Sequence, residues 1–376
     1  MKRRIRSFWL FLFAALWLVS GCGAQSGEPQ KHGEAEAPLS PELRVEKLLG
    51  SMTPAEKIGQ MLMIGVHGTT LNDDSRFMLS EYAAGGVILF DRNLETADGV
   101  RRFTKELQDA RHGELPLFIA VDEEGGPVVR MEDIVPPPPA QSEIGQTGDS
   151  AQARKWAKTI SQELRALGFN LNFAPVADVG QGARCYSNQP ETAAAFVREA
   201  TQGYAEENML CALKHFPGLG KGTADTHLGT VVVDADRAVL EAEDLVPFRA
   251  AMGEKNAADS VFLMVSHITY TALDGENPAS FSPAILTSLL RETMGWQGIV
   301  VTDDLEMGAA DVYPFDEMGV RAVEAGADLL LVCHDYGHQQ AVYNGLLKAV
   351  QSGRIPESRI DESVRRILRV KLHLGN

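Results

Sequence analysis

Eight short apolar runs punctuate this chain, and each gives way to a segment of helical periodicity. The runs lie at 60–66, 86–90, 117–121, 171–179, 210–215, 261–267, 299–302 and 329–333. Near-continuous apolar runs of this length read as strands buried on both faces, which is the habit of parallel sheets covered by helices. The intervening helical patterns include 100–110, 151–167, 192–207, 237–252, 284–294, 318–325 and 339–350, and a basic helix at 357–372 follows the last run. Eight strands each followed by a helix predict an α/β chain closed as a (β/α)8 barrel. An open doubly wound sheet is the runner-up. It usually has fewer strands, and no GxGxxG fingerprint follows the first run.

Two further helices are expected ahead of the barrel. Ser40-Pro41 opens one, and Thr53-Pro54-Ala55-Glu56 opens the next with a capping threonine, a first-turn proline and a glutamate at the capping-box position. Upstream, Lys2, Arg3, Arg4 and Arg6 precede an apolar run from Phe8 to Val19, too short to span a bilayer comfortably. Val19-Ser20-Gly21-Cys22 resembles the processing box of bacterial lipoproteins. That resemblance implies cleavage after residue 21 and lipid on Cys22, hence an exported chain held at a membrane. The domain reading is therefore a signal peptide at 1–21, a flexible Gly/Glu/Ala/Pro-rich tether at 22–40 and a single barrel at 41–376.

The formal charge is −16, and removing residues 1–21 with their four basic groups makes it −20. So acidic a surface argues against a nucleic-acid partner and says nothing against a neutral sugar. Cys185, Cys211 and Cys333 are odd in number and far apart, so no disulfide framework is implied. No Cys/His cluster has the spacing of a metal site.

In barrels of this kind chemistry sits at the C-terminal ends of the strands. The third run ends in Asp122-Glu123-Glu124-Gly125-Gly126 with Arg130 beyond, and the fourth in Asp178 with Arg184 beyond. The fifth ends in Lys214-His215, the sixth in Ser266-His267 and the seventh in Thr302-Asp303-Asp304. Collecting so many charges at one end is costly without partners or a ligand. After Lys214 the chain becomes glycine-rich, with Gly218, Gly220 and Gly222, and finishes in Asp225-Thr226-His227.

Cleavage of a glycosidic bond needs a carboxylate on one side and a proton donor on the other. Asp303 or Asp304 supplies the carboxylate. Asp303 follows its strand most directly and should be the more rigidly aimed, with Asp304 pointing elsewhere. An imidazole has an intrinsic pKa near neutrality, so His227, oriented by Asp225, can both give and take a proton. Asp122, Arg130, Arg184 and Lys214 suit the hydroxyls of a sugar. His267 is equally a pocket-lining residue or a satisfied core histidine.

Four motifs in this order resemble the bacterial β-N-acetylglucosaminidases (β-N-acetylhexosaminidases) of glycoside hydrolase family 3. They are VDEEGGPVVR at 121–130, FAPVADV at 173–179, KHFPGLGKGTADTH at 214–227 and GIVVTDDLEM at 298–307. The resemblance covers roughly residues 45–375. It implies a retaining two-step mechanism with Asp303 as nucleophile, His227 as acid and then base, and Asp225 tuning His227. It places sugar contacts at Asp122, Arg130, Arg184, Lys214 and His215. It implies a terminal β-linked N-acetylglucosamine as substrate, peptidoglycan fragments as its source and no cofactor; a monomer is favoured. Two positions depart from the pattern: Pro127 stands where the family commonly has Arg, and Cys185 where it often has Ser. Competing readings are a β-glucosidase or phosphorylase on the same fold, and an inactive glycan-binding lipoprotein.

Overall fold

The computed structural model describes residues 40–180, 182–219 and 231–374. The expected signal peptide, Cys22 and the tether up to residue 39 lie outside the described residues, as do Asp225 and His227.

Eight parallel strands close into a barrel. They are β1 (Leu62–Gly65), β2 (Gly86–Ile88), β3 (Phe118–Val121), β4 (Leu171–Asn172), β5 (Leu210–Phe216), β6 (Val261–Val265), β7 (Val300–Asp304) and β8 (Leu329–Val332). Each pairs with its neighbours in sequence, and β1 closes the ring on β8 through Leu62–Leu330 and Met63–Leu331. Nearly every strand residue is buried, as expected for a sheet with helices outside and packed side chains inside.

The expected fourth strand, 171–179, is much shorter in the structure. Its ladder stops at Asn172, and Pro175 in the following stretch has no N–H to donate. The chain runs on beside β5, to which it is joined by a bridge between Val176 and Lys214 and by the Ala212 amide donating to the Ala174 carbonyl at 3.1 Å. A helix at Asp73–Ser80 and a short parallel pair, Val232–Val233 with Thr269–Tyr270, have no counterpart in the sequence reading.

Two barrel strands carry an extra residue. Between β5 and β6 the register steps from Leu213–Leu263 to Phe216–Val265. Between β7 and β8 it steps from Val301–Leu329 to Asp304–Leu331. In both places three steps along one strand match two along the other, which is a bulge.

The N-terminal end of the barrel is closed by the two capped helices. Ser40 caps Pro41–Ser51 by accepting from the Leu43 amide, and Thr53 and Glu56 form the expected capping box of Pro54–Gln60. Both pack against the last helix, Glu357–Leu374. Asp328, just before β8, is buried there between Arg291 (2.5 Å) and Arg366 (2.9 Å), with Ser363 donating at 2.7 Å. Lys371 is buried at the same end. Its ammonium donates to Gln60 Oε1 at 2.7 Å over the Phe118 ring, and burial pulls its pKa down to about 7. Asp328 and Lys371 are thus matched within the fold, at the end of the barrel opposite the C-terminal ends of the strands.

Candidate active site

A cavity of about 360 Å³ opens at the C-terminal ends of the strands. Asp122, Arg130, Arg184, Lys214, His215 and Asp303 all line it, so the structure brings together six of the residues singled out from sequence.

The wall on the β3–β5 side is a network of buried charge. Gly125 and Gly126, at φ of 99° and 58°, turn the chain sharply after β3. A Cβ on Gly125 would lie 2.3 Å from the Pro139 carbonyl oxygen, so a side chain has no room there. The turn folds Glu124 inward. Its carboxylate takes Lys214 Nζ at 2.6 Å on one oxygen and a two-pronged grip from Arg184, at 2.8 and 2.9 Å. Lys214 also reaches Asp122, at 2.6 Å, and Arg130 stands 3.9 Å from the other Asp122 oxygen. Burial alone would raise the Glu124 carboxyl, but Lys214 and Arg184 outweigh it and hold the group at about 2. Burial would likewise lower Lys214, but Asp122 and Glu124 reverse the sign and keep it cationic. Glu123 turns away from the cavity and accepts from the Arg130 amide at 2.9 Å. Burial pushes its carboxyl up to about 7. Pro127 sits exposed on this turn, where its missing N–H leaves nothing unsatisfied.

His215 is aimed by Asp178. The ring Nδ1 donates to Asp178 Oδ2 at 2.8 Å, which leaves Nε2 as the acceptor facing Arg184 at 3.4 Å. Asp178 Oδ1 also accepts from the backbone amides of His215 (3.1 Å) and Leu219 (2.7 Å). One buried carboxylate therefore fixes a cavity-lining ring and the start of the loop that leads to Asp225 and His227. The bulge in β5 accounts for a further point. Lys214 and His215 are consecutive, so a regular strand would send them to opposite faces, yet both line the cavity.

On the β7 side the same device operates. Asp303 and Asp304 are consecutive and both contribute to the cavity lining, while the Asp304 carboxylate is turned toward the β8 end and away from Asp303. The two carboxylates are not equivalent. Asp304 is held by the β8 end: Oδ1 accepts from the Cys333 amide (3.2 Å) and the Glu306 amide (3.1 Å), and Oδ2 lies 3.2 Å from His334 Nε2. Among the described residues, the hydrogen bond of the Asp303 side chain is from the Asp304 amide, at 2.9 Å, and no cation pairs with it.

His267 does not line the cavity. It is buried behind β7, with Nδ1 2.7 Å from Ser280 Oγ and Nε2 3.0 Å from the Asp304 carbonyl, and burial lowers its pKa. A ring with both nitrogens satisfied is a core histidine, the second of its two sequence readings. Cys185 is half-buried beside Arg184, and burial pushes its thiol up to about 11.

The sequence reading missed Glu124, Asp178 as the partner of His215, and the β8 side of the cavity, where Cys333 and His334 line the wall and His334 stacks on Phe90. Polar residues after the eighth run carried the same signal that was read at the third to seventh. His334 is raised in pKa by its contact with Asp304. Among the described residues no group of His, Cys, Asp and Glu side chains is arranged to hold a metal ion.

The chain's likeness to known proteins agrees with this geometry. Residues 53–370 match the family described as the glycosyl hydrolase family 3 N terminal domain. A protein of Alkalilimnicola ehrlichii named beta-hexosaminidase is 35% identical, over 75% of this chain and 82% of its own length. The beta-hexosaminidase LpqI of Mycobacterium tuberculosis is 33% identical, over 85% of this chain and 83% of its own. Among solved structures, a family 3 beta-N-acetylglucosaminidase from a Paenibacillus species superposes with a TM-score of 0.83 at 38% identity. That match covers 86% of this chain and spans 63% of the other.

Proposed function

Since the chain belongs to glycosyl hydrolase family 3, we propose that this β-hexosaminidase is a retaining exo-glycosidase acting on terminal, non-reducing β-linked N-acetylglucosamine. The observation that carries this reading is the contrast between the two aspartates of β7. Asp304 is spent on the neighbouring strand, whereas Asp303 faces the cavity with no cation against it among the described residues. A carboxylate left in that state is suited to attack an anomeric carbon.

The rest of the wall positions the sugar. Asp122 accepts hydroxyl protons, while Lys214, Arg184 and Arg130 donate. His215, with Nδ1–H held by Asp178, offers Nε2 as an acceptor. Because these groups are already paired with one another, they are oriented before the sugar arrives and little ordering is left to do. In the first step Asp303 forms the glycosyl ester while His227, tuned by Asp225, protonates the departing oxygen. In the second, His227 takes a proton from water, which attacks the same carbon and releases Asp303. A cavity of about 360 Å³ suits one terminal sugar and so supports exo cleavage. An exported, lipid-anchored chain would meet cell-wall material, and peptidoglycan fragments with a terminal N-acetylglucosamine are the natural candidates.

The test compares nitrophenyl β-N-acetylglucosaminide with nitrophenyl β-glucoside, each with and without inorganic phosphate. Preferred turnover of the glucoside overturns the substrate class, and a requirement for phosphate overturns hydrolysis. His227→Ala should slow substrates with poor leaving groups far more than activated aryl glycosides, because only the former need protonation. Equal losses on both would remove His227 from the acid role.

A further inference from the structure

The β7 bulge leaves Asp303 at a point where the backbone ladder to β8 is interrupted. Side chains replace it. Thr302 Oγ1 accepts from the Leu331 amide at 3.1 Å, and Asp304 Oδ1 accepts from the Cys333 amide at 3.2 Å. The remaining Asp304 oxygen faces His334 Nε2 at 3.2 Å. His334 is itself held from behind. Arg92, in the turn after β2, points one guanidinium nitrogen at His334 Nδ1 (3.3 Å) and another at the Cys333 carbonyl (2.7 Å). An Arg N–H facing Nδ1 makes that nitrogen the acceptor, so the ring proton sits on Nε2, the nitrogen that faces Asp304 Oδ2 at 3.2 Å. Phe90 stacks on the ring at 5.5 Å.

We propose that His334 is a positioning residue for the glycosylation step: braced by Arg92, it fixes the Asp304 carboxylate and thereby the aim of Asp303 across the gap in the ladder. The inference rests on Asp303 being the nucleophile. His334 does not touch the reacting atoms in this role. It acts through Asp304, whose amide is the hydrogen-bond donor to Asp303 (2.9 Å). Asp304 is also gripped from the β6 side, where His267 faces its carbonyl at 3.0 Å, so rotation about the bulge is opposed from both neighbouring strands. Supporting groups one step removed from the chemistry commonly change rates by about 10–100-fold when lost.

The test follows formation of the glycosyl ester with 5-fluoro-N-acetylglucosaminyl fluoride. Its fluoride departs without acid assistance, and its ester releases slowly, so the trapping rate reports the Asp303 step independently of His227. His334→Ala should slow trapping roughly 10–100-fold while KM for an aryl glycoside changes less than about threefold. His334→Gln keeps an N–H within reach of Asp304 and should recover most of the rate. His334→Phe keeps the packing on Phe90 and should not. Trapping at the wild-type rate in His334→Ala, or equal rescue by Phe and Gln, overturns the proposal. Asp303→Asn should trap nothing; an ester formed in that variant would instead overturn the assignment of Asp303. His334→Gln, the least disruptive variant, keeps the comparison valid if His334→Ala fails to fold.

Discussion

Replacing Glu124 by glutamine removes one negative charge from the centre of the cavity wall without changing its shape. The carboxylate is 1% exposed and carries Lys214 and Arg184 together. Its pKa falls from an ordinary 4.5 to about 2 because those two cations outweigh the burial that opposes ionisation. At about 1.4 kcal/mol per pH unit, that difference contributes about 3 kcal/mol at pH 7. The folded-state pKa is depressed, so the contribution is complete above pH 4.5 and disappears as pH falls through about 2. At pH 3 only about 1 kcal/mol of it is left. Glutamine cannot titrate, so the deficit of Glu124→Gln relative to the parent should be about 3 kcal/mol at pH 7 and about 1 kcal/mol at pH 3. Urea unfolding of both proteins at the two pH values measures this directly. KM should also rise about tenfold, since Lys214 and Arg184 lose the anchor that aims them. A deficit that does not shrink on acidification, or none at pH 7, would refute the argument that Glu124 is stabilised by these two cations.

Three further outcomes are expected. Lys371 has a folded pKa of about 7 against 10.5 when unfolded, so the parent should gain stability as pH rises from 7 toward 10.5, by at most about 1.4 kcal/mol per pH unit; Lys371→Met should abolish that slope in unfolding titrations. Thr302→Val leaves the buried Leu331 amide without its acceptor, which should cost about 1–3 kcal/mol in chemical denaturation and lower kcat more than it raises KM. Asp178→Asn presents an N–H to the His215 Nδ1 and forces the other tautomer, so KM for the aryl glycoside should rise about tenfold with a smaller change in kcat, while an unchanged KM would remove His215 from sugar binding.

The barrel was legible because its signal is local and repeated. Each strand is a short apolar run, each helix carries its own period, and eight repetitions leave little choice of closure. The strand-end rule then located Asp122, Arg130, Arg184, Lys214, His215 and Asp303 in one cavity. What stayed hidden was pairing between distant segments. Glu124 lies two residues after Asp122 in the chain, but nothing local says that Arg184 and Lys214 both converge on it. Asp178 likewise meets His215 only once β4 and β5 lie side by side. His334 was open to the same rule at the eighth strand, yet its tie to Asp304 depends on the β7–β8 register and could not be read from the run alone.

The two bulges explain why alternation misleads at the site itself. A strict period of two assigns one of Lys214 and His215, and one of Asp303 and Asp304, to the outside of the barrel. An inserted residue breaks that assignment and puts both members of each pair at the mouth. The local ladder is interrupted in exchange. On β7 the gap to β8 is bridged by Asp304, through the Cys333 amide, whereas on β5 Asp178 holds the bulged strand from the side away from β6, through the His215 and Leu219 amides. Lys214 is held by Asp122 and Glu124 and His215 by Asp178, while Asp304 is itself tied to the end of β8. The arrangement places more polar groups at a strand end than regular pleating permits, and under the proposed mechanism loss of Asp178 or Asp304 should cost activity as loss of the groups they hold does.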